Sequence, residues 1–177
     1  YIEKIGLSDQ FILMNLAKFR KRAFMHRNKI EINQKPHYLG FHLEKNADYL
    51  NCNEVYINKN FPKDLSNILE KIKNTYKKFK FYEDIEFFCK ECFVEEINNK
   101  NLVEICSKQI LFFVKVFEFN TEIELESDLI GLKDLEKLSA SERLLSHAKI
   151  LNADIYVTGI NSQNYLDKNI FENNNII

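Results

Sequence analysis

Two hydrophobic periods alternate along the chain. Phe11 to Met14 reads FILM, an apolar run short enough for a buried strand and extendable towards Phe19. Ahead of it, YIEKIGLSDQF predicts the end of an amphipathic helix with Tyr1, Ile2, Ile5 and Leu7 turned inward. Lys29 to Asn33 and His37 to Leu43 are short β-compatible runs that predict a hairpin-like pair, Pro36 excluding a helix through the bend. Glu54 to Ile57 predicts another short strand. The period then changes: Leu65, Ile68, Leu69, Ile72 and Tyr76 recur at helical spacing behind Pro62, which suits a first helical turn.

Two further helices are predicted, from about Ile85 to Glu96 and from about Leu102 to Phe117, the latter apolar on nearly all sides and therefore expected to be central. Thr121 to Leu125 alternates as a half-buried strand does. Ser139-Ala-Ser-Glu142 has the form of a capping box and opens a helix whose inner stripe is Leu144, Leu145, Ala148 and Leu151. Asp154 to Thr158 predicts a strand ending at Gly159, and Tyr165-Leu166 the start of a last helix. Strands alternating with helices predict an α/β fold: a single layered domain over residues 1–177, with a mixed or mainly parallel sheet flanked by helices.

Composition narrows the class. Four Gly and two Pro beside fifteen Phe and eight Tyr mean that regular elements dominate and that the core is aromatic-rich. No apolar run approaches the roughly twenty residues that span a bilayer. Four Cys without a disulfide-like framework suit a reducing cytoplasm. The net charge of −1 hides an asymmetry, because residues 1–80 carry +8 and residues 81–177 carry −9. An acidic second half disfavours an extended nucleic-acid strand as partner, and no zinc-finger, RNA-recognition or helix-turn-helix signature is present. A compact anion is the better match.

The candidate chemistry concentrates in FRKRAFMHRNKI, Phe19 to Ile30, where Arg20, Lys21, Arg22, Arg27 and Lys29 interleave with large apolar residues. Such a cluster next to a core strand is a place where phosphate or carboxylate can meet the fold, although a solvated charged turn has the same composition. His26 stands among these cations, which favour its neutral form and leave a ring nitrogen free to act as a base near pH 7. Cys89-x-x-Cys92 has half the spacing of a zinc site, but it shares a helical face with Ile85, Phe88 and Phe93, so core packing is expected and no metal. His37 and His42 point to opposite faces of a strand, which speaks against a shared metal. Glu142 is explained by the capping box before any role as a base. No cofactor is readable.

In the same order and spacing, SDQFILMNLAKFRKRAFMHRNKI, NEVYINKN, NTYKKFKFYEDI, ASERLL, NADIYVTG and NYLDKNIF resemble the WbqC-like family over nearly the whole chain. Lys21-Arg22, Arg27-Asn28, Glu142-Arg143-Leu144-Leu145, Ala153-Asp154 and Thr158-Gly159 stand at that family's motif positions. Three departures accompany the match. The family's opening His-Gln-Pro segment is absent before Tyr1, so the chain is expected to lack its first, central strand and to expose an edge that a homodimer could cover. Asn15-Leu16 replaces a pair of carboxylates, and Lys18 replaces a Gln. Ile160-Asn161-Ser162-Gln163 follows where the family is Gly-rich.

The resemblance implies a role in surface-polysaccharide, O-antigen-type biosynthesis, as a transferase-like enzyme acting on a nucleotide-activated or phosphorylated sugar. Lys21, Arg22 and Arg27 are then expected to clamp phosphate oxygens and Asn28 to orient a hydroxyl, with Arg143, Thr158, Gly159 and Tyr165 as further substrate contacts. His26 and Asp154 are the candidate proton acceptors. The alternatives are a catalytically degenerate binding or scaffold protein of the same pathway, which Asn15-Leu16 favours, and a nucleic-acid-binding module.

Overall fold

The computed structural model describes residues 2–23, 25–94, 101–129, 131 and 134–177, so the predicted roles of Tyr1 and Glu96 lie outside the described residues. The fold is mixed α/β. The chain divides into two compact units: a continuous one, Asn15–Phe113, and a two-segment one formed by Tyr1–Met14 with Val114–Ile177.

In the two-segment unit, helix α1 (Ile2–Gly6) leads into strand β1 (Gln10–Leu13). Ile5 is fully buried, but Leu7 is 68% exposed, contrary to its expected inward face, because the helix ends at Gly6 and the chain turns away. The later strand of this unit (Glu122–Leu125, β4 in chain order) runs parallel to β1, with Phe11 beside Ile123 and Leu13 beside Leu125. Thr121 Oγ1 lies 2.6 Å from the Ile5 carbonyl and 2.8 Å from that of Ser8, and its single proton can serve either, tying α1 to the start of the strand.

The continuous unit holds strands β2 (Arg27–Ile32) and β3 (Lys35–Gly40), antiparallel, with Arg27 opposite Gly40. Asn33 and Gln34 join them with φ of 50° and 61°, the positive values at both central residues that a type I′ hairpin requires. The predicted hairpin is therefore present, shifted by two residues at its start. Helix α2 (Phe61–Tyr76) carries Pro62 in its first turn, where the missing N–H has no intrahelical acceptor to lose. Helix α3 (Tyr82–Cys89) begins earlier than predicted and continues into a π turn, Lys90–Val94. Glu54 to Ile57 is not a strand: a 3-10 turn, Cys52–Glu54, is followed by isolated bridges from Tyr56 to Asn101 and from Ile57 to Leu43, too short a pairing to form a ladder.

The core of this unit gathers Phe19, Val55, Ile57, Phe61, Cys92 and Ile105. Val55, Ile57 and Phe61 are fully buried, each contributing roughly 1.5 to 3 kcal/mol by leaving water. Cys89 and Cys92 belong to the same cluster, and burial pushes both thiols up to about 11. Helix α4 (Leu102–Val116) departs from its expected central place. It buries Leu102 and Ile105, whereas Leu111, Val116 and the following Phe117 are about half exposed. Apolar residues all round it therefore do not signify burial all round.

Helix α5 (Ala140–Ile150) completes the two-segment unit with the short α6 (Lys168–Glu172). The capping box forms as the spacing predicts: Ser139 Oγ accepts from Glu142 N at 3.3 Å, and Glu142 Oε2 accepts from Ser139 N at 2.8 Å. Leu144, Leu145 and Ala148 pack with Phe171 and Ile176. Asp154 to Thr158 is not a strand. Among the described residues its backbone is joined to Ile177, through Tyr156 N to Ile177 O at 2.7 Å and Ile177 N to Asp154 O at 2.9 Å. The helix expected at Tyr165 starts instead at Lys168, where the Asp167 carboxylate accepts from Asn169 N. Among the described residues no helix is long and apolar enough to cross a membrane.

Candidate functional site

In the continuous unit the basic segment is held at two apolar points. Phe19 is buried and donates its N–H to Leu50 O at 3.0 Å, while Met25 packs on the core, with Cys52 Sγ 3.8 Å from its sulfur and Cys106 Sγ 3.4 Å from its carbonyl. Between them Ala23 N donates to Arg20 O, which closes a turn. Large apolar residues pull inward, so Arg20, Lys21 and Arg22 face solvent. Among the described residues no carboxylate pairs with any of these three.

Arg27 is less free. Its Nη2 donates to Arg22 O at 3.0 Å and its guanidinium lies 4.6 Å from the centre of the Tyr38 ring, over which Lys29 Nζ stands at 5.1 Å. Arg27 thus braces the loop on the hairpin. A methyl on Gly40 would fall 2.7 Å from Arg27 Cβ and 2.9 Å from His26 O, so only glycine allows the two strands this close at the base of the loop. His26 is partly buried against Phe19, with ring centres 5.5 Å apart, and among the described residues its Nδ1 has no hydrogen-bond partner. Burial first, then Arg27 and Lys21, lower its pKa against a smaller opposing effect of Asp48. The lowered pKa of His26 therefore owes more to burial than to the neighbouring charge expected from the sequence. Asn28 is exposed, its Oδ1 accepting from Lys29 N at 2.8 Å.

A second polar group in this unit escaped the sequence reading. The Asp64 carboxylate, at the start of α2 and buried, accepts from His42 N at 2.9 Å and lies 2.9 Å from His42 Nδ1 through each of its oxygens. Nothing in the spacing of His42 and Asp64 announces this pair, because it needs β3 to lie along α2.

In the two-segment unit the strongest electrostatic feature sits where β4 ends. Glu126, 1% exposed, accepts from Arg143 Nε at 2.7 Å and from Arg143 Nη2 at 2.5 Å, a fork-to-fork pair. His147 Nε2 lies 2.8 Å from Glu126 Oε1, a contact set by distance and charge in which the ring N–H is poorly aligned with the oxygen. Burial would raise the Glu126 pKa, but the close contact of His147 and the hydrogen bonds and charge of Arg143 outweigh it and hold the carboxyl at about 2. Arg143 and His147 are four apart and so share one face of α5, a spacing that could have revealed the cluster; Glu126, directly after an alternating strand, could not be matched to them in advance.

The remaining predicted residues of this unit are dispersed. Asp154, Thr158 and Tyr165 are exposed. Gly159 caps a 3-10 turn, its carbonyl accepting from Ser162 N at 2.9 Å and Ser162 Oγ at 2.7 Å. Buried Ser141 donates to Tyr165 O at 3.3 Å and accepts from Asp167 N at 2.9 Å. In the continuous unit, then, Lys21, Arg22, His26 and Arg27 are neighbours while the Asn28 side chain accepts from Lys29 N; in the two-segment unit Arg143 is joined to Glu126 and, among the described residues, not to Asp154 or Thr158.

A basic loop, a hairpin and an α5 that begins Ala-Ser-Glu-Arg-Leu-Leu are carried by one chain whose whole length, residues 1–177, matches the family model described as WbqC-like protein family. The chain belongs to the WbqC-like protein family. No curated protein and no solved structure matches it.

Proposed function

We propose that this protein acts in surface-polysaccharide biosynthesis of the O-antigen type, as a transferase-like protein that binds a phosphorylated or nucleotide-activated sugar. The reading rests on family membership and on one observation above all: Arg20, Lys21 and Arg22 are exposed cations without a carboxylate partner among the described residues. Arg22 and Lys21 bind phosphate oxygens, Arg27 shapes the loop and adds charge, Asn28 orients a hydroxyl, and neutral His26 accepts a proton. In the two-segment unit, taken by itself, Asp154 is a candidate proton acceptor and Thr158, Gly159 and Tyr165 are candidate sugar contacts.

A second reading, a binding or scaffold protein of the same pathway without catalysis, is favoured by the commitment of Arg143 to Glu126 and by Asn15-Leu16, an amide and a hydrocarbon. Calorimetric titration of uridine diphosphate glucose, glucose 1-phosphate and a single-stranded oligonucleotide, each at several salt concentrations, tests the reading. The expected result is saturable binding of the sugar phosphates with a shallow salt dependence, since few phosphates are contacted. Tight oligonucleotide binding that collapses steeply with salt would instead mark a nucleic-acid module.

A further inference from the structure

His42 and Asp64 form a polar arrangement in the continuous unit that the basic segment does not explain. The Asp64 carboxylate is buried, yet the His42 side chain is 71% exposed, so the pair joins an anchored anion to a ring edge that solutes can reach. With Asp64 at 2.9 Å from Nδ1, that nitrogen carries the proton, because a carboxylate accepts and does not donate. In the neutral ring Nε2 is then the lone-pair nitrogen of a solvent-exposed side chain. The backbone N–H of His42, also bound to Asp64, fixes the ring's origin as well as its tautomer.

His42 and Asp64 line a recess of about 130 Å³ between β3 and α2, together with Tyr38, Asn67 and Lys71 and the apolar Leu39 and Ile68. Asp64, Asn67 and Lys71 follow one another at helical spacing, so α2 presents one polar stripe to it. Asp64, His42 and Lys71 are its charged or titratable groups apart from the Tyr38 phenol, whose ring also carries Arg27 and Lys29. The recess has room for a polar fragment and not for a nucleoside. It therefore suits a hydroxyl-bearing or phosphoryl end of a ligand whose remaining charge meets the basic hairpin.

We infer that His42 is a second proton-acceptor site, for a hydroxyl of a phosphorylated sugar other than the one assigned to His26, with Asp64 as its positioning residue, an inference that rests on the function proposed above. The O–H bond breaks and the proton passes to Nε2 as the oxygen's electron pair forms a bond to the anomeric carbon of a nucleotide-activated sugar, whose nucleoside diphosphate leaves with the glycosidic electron pair. The imidazolium so formed retains Nδ1–H on Asp64, which balances its charge, and Lys71 lines the same recess.

Nitrogen-detected NMR of the histidine rings tests this in the full chain. At neutral pH His42 is expected as the Nδ1–H tautomer, with an unprotonated Nε2 resonance. In Asp64→Asn the amide presents N–H to Nδ1, or loses the ring altogether, and the Nδ1–H tautomer gives way to the Nε2–H form common in free histidine. Saturating glucose 1-phosphate is expected to shift the Nε2 resonance in the wild type and not in Asp64→Asn. A wild-type His42 in the Nε2–H form overturns the inference whatever binds. Movement of Arg22 and Lys21 signals without movement of Nε2 overturns it while leaving the proposed function standing, and no binding of glucose 1-phosphate or uridine diphosphate glucose overturns both.

Discussion

Arg143 and Arg22 are the same residue type put to opposite uses. Arg143 lies on α5 with its side chain 16% exposed, and both arms of its guanidinium fork meet a carboxylate that is itself fully buried. Arg22 lies on a loop pinned at Phe19 and Met25, turns to solvent and has no carboxylate partner among the described residues. In the two-segment unit charge is neutralised within the protein, where it holds a strand end to a helix. In the continuous unit charge is left open, where it contributes little to folding and is available to an anion. The contrast teaches that cation content does not locate a binding site; the presence or absence of an internal counter-charge does.

Removing the carboxylate from the buried cluster should have the largest effect. Glu126→Gln leaves Arg143 and His147 without their negative partner and should cost about 3 to 5 kcal/mol of stability in urea unfolding. The pH dependence carries the same signature. The folded pKa of Glu126, about 2, lies below its ordinary 4.5, so its stabilisation is complete above about 4.5 and is lost as pH falls towards 2. Glu126→Gln should flatten that part of the stability profile, and an unchanged acid limb would mean that the cluster is not the source. Binding of a sugar phosphate to the basic loop is a separate property of the other unit.

Gly40→Ala is the next sharper test, on the other side of the comparison. A Cβ 2.7 Å from Arg27 Cβ and 2.9 Å from a backbone oxygen forces the hairpin apart, at a cost of roughly 1 to 3 kcal/mol. Because the displaced strand carries Arg27, anion binding should weaken together with stability, unlike in any substitution of the buried cluster. Ser139→Ala has the smallest expected effect, about 1 kcal/mol from the lost cap. Thermal unfolding of this variant should show a modest loss with ligand affinity unchanged; a large loss would mean that the cap does more than close a helix.

Legibility followed the range of the interaction. The capping box, the Pro62 start of α2 and the inner stripe of α5 are local, set by residues within a turn or two of each other, and all were readable. Glu54 to Ile57 and Asp154 to Thr158 have the residues of strands but lack a neighbouring strand, and pairing is decided by the rest of the fold. Helix α4 misled because an apolar helix was equated with a buried one. The basic loop was legible as composition, yet its outward display depends on Phe19 and Met25 finding the core. The partners of Arg143 and of His42 are distant in sequence, 17 and 22 residues away, and no periodic pattern encodes such a pairing.

The central claim is that the loop cations are an anion site and not a solvated turn, and Arg22→Lys tests it most directly. Arginine offers phosphate two parallel donors and lysine a point charge, while among the described residues Arg22 has no carboxylate partner to lose. Calorimetric titration of uridine diphosphate glucose into the wild type and Arg22→Lys should show affinity falling by about ten- to a hundredfold, equivalent to roughly 1 to 3 kcal/mol, with unfolding unchanged. Equal affinity in the two proteins, or no binding by the wild type, would contradict it.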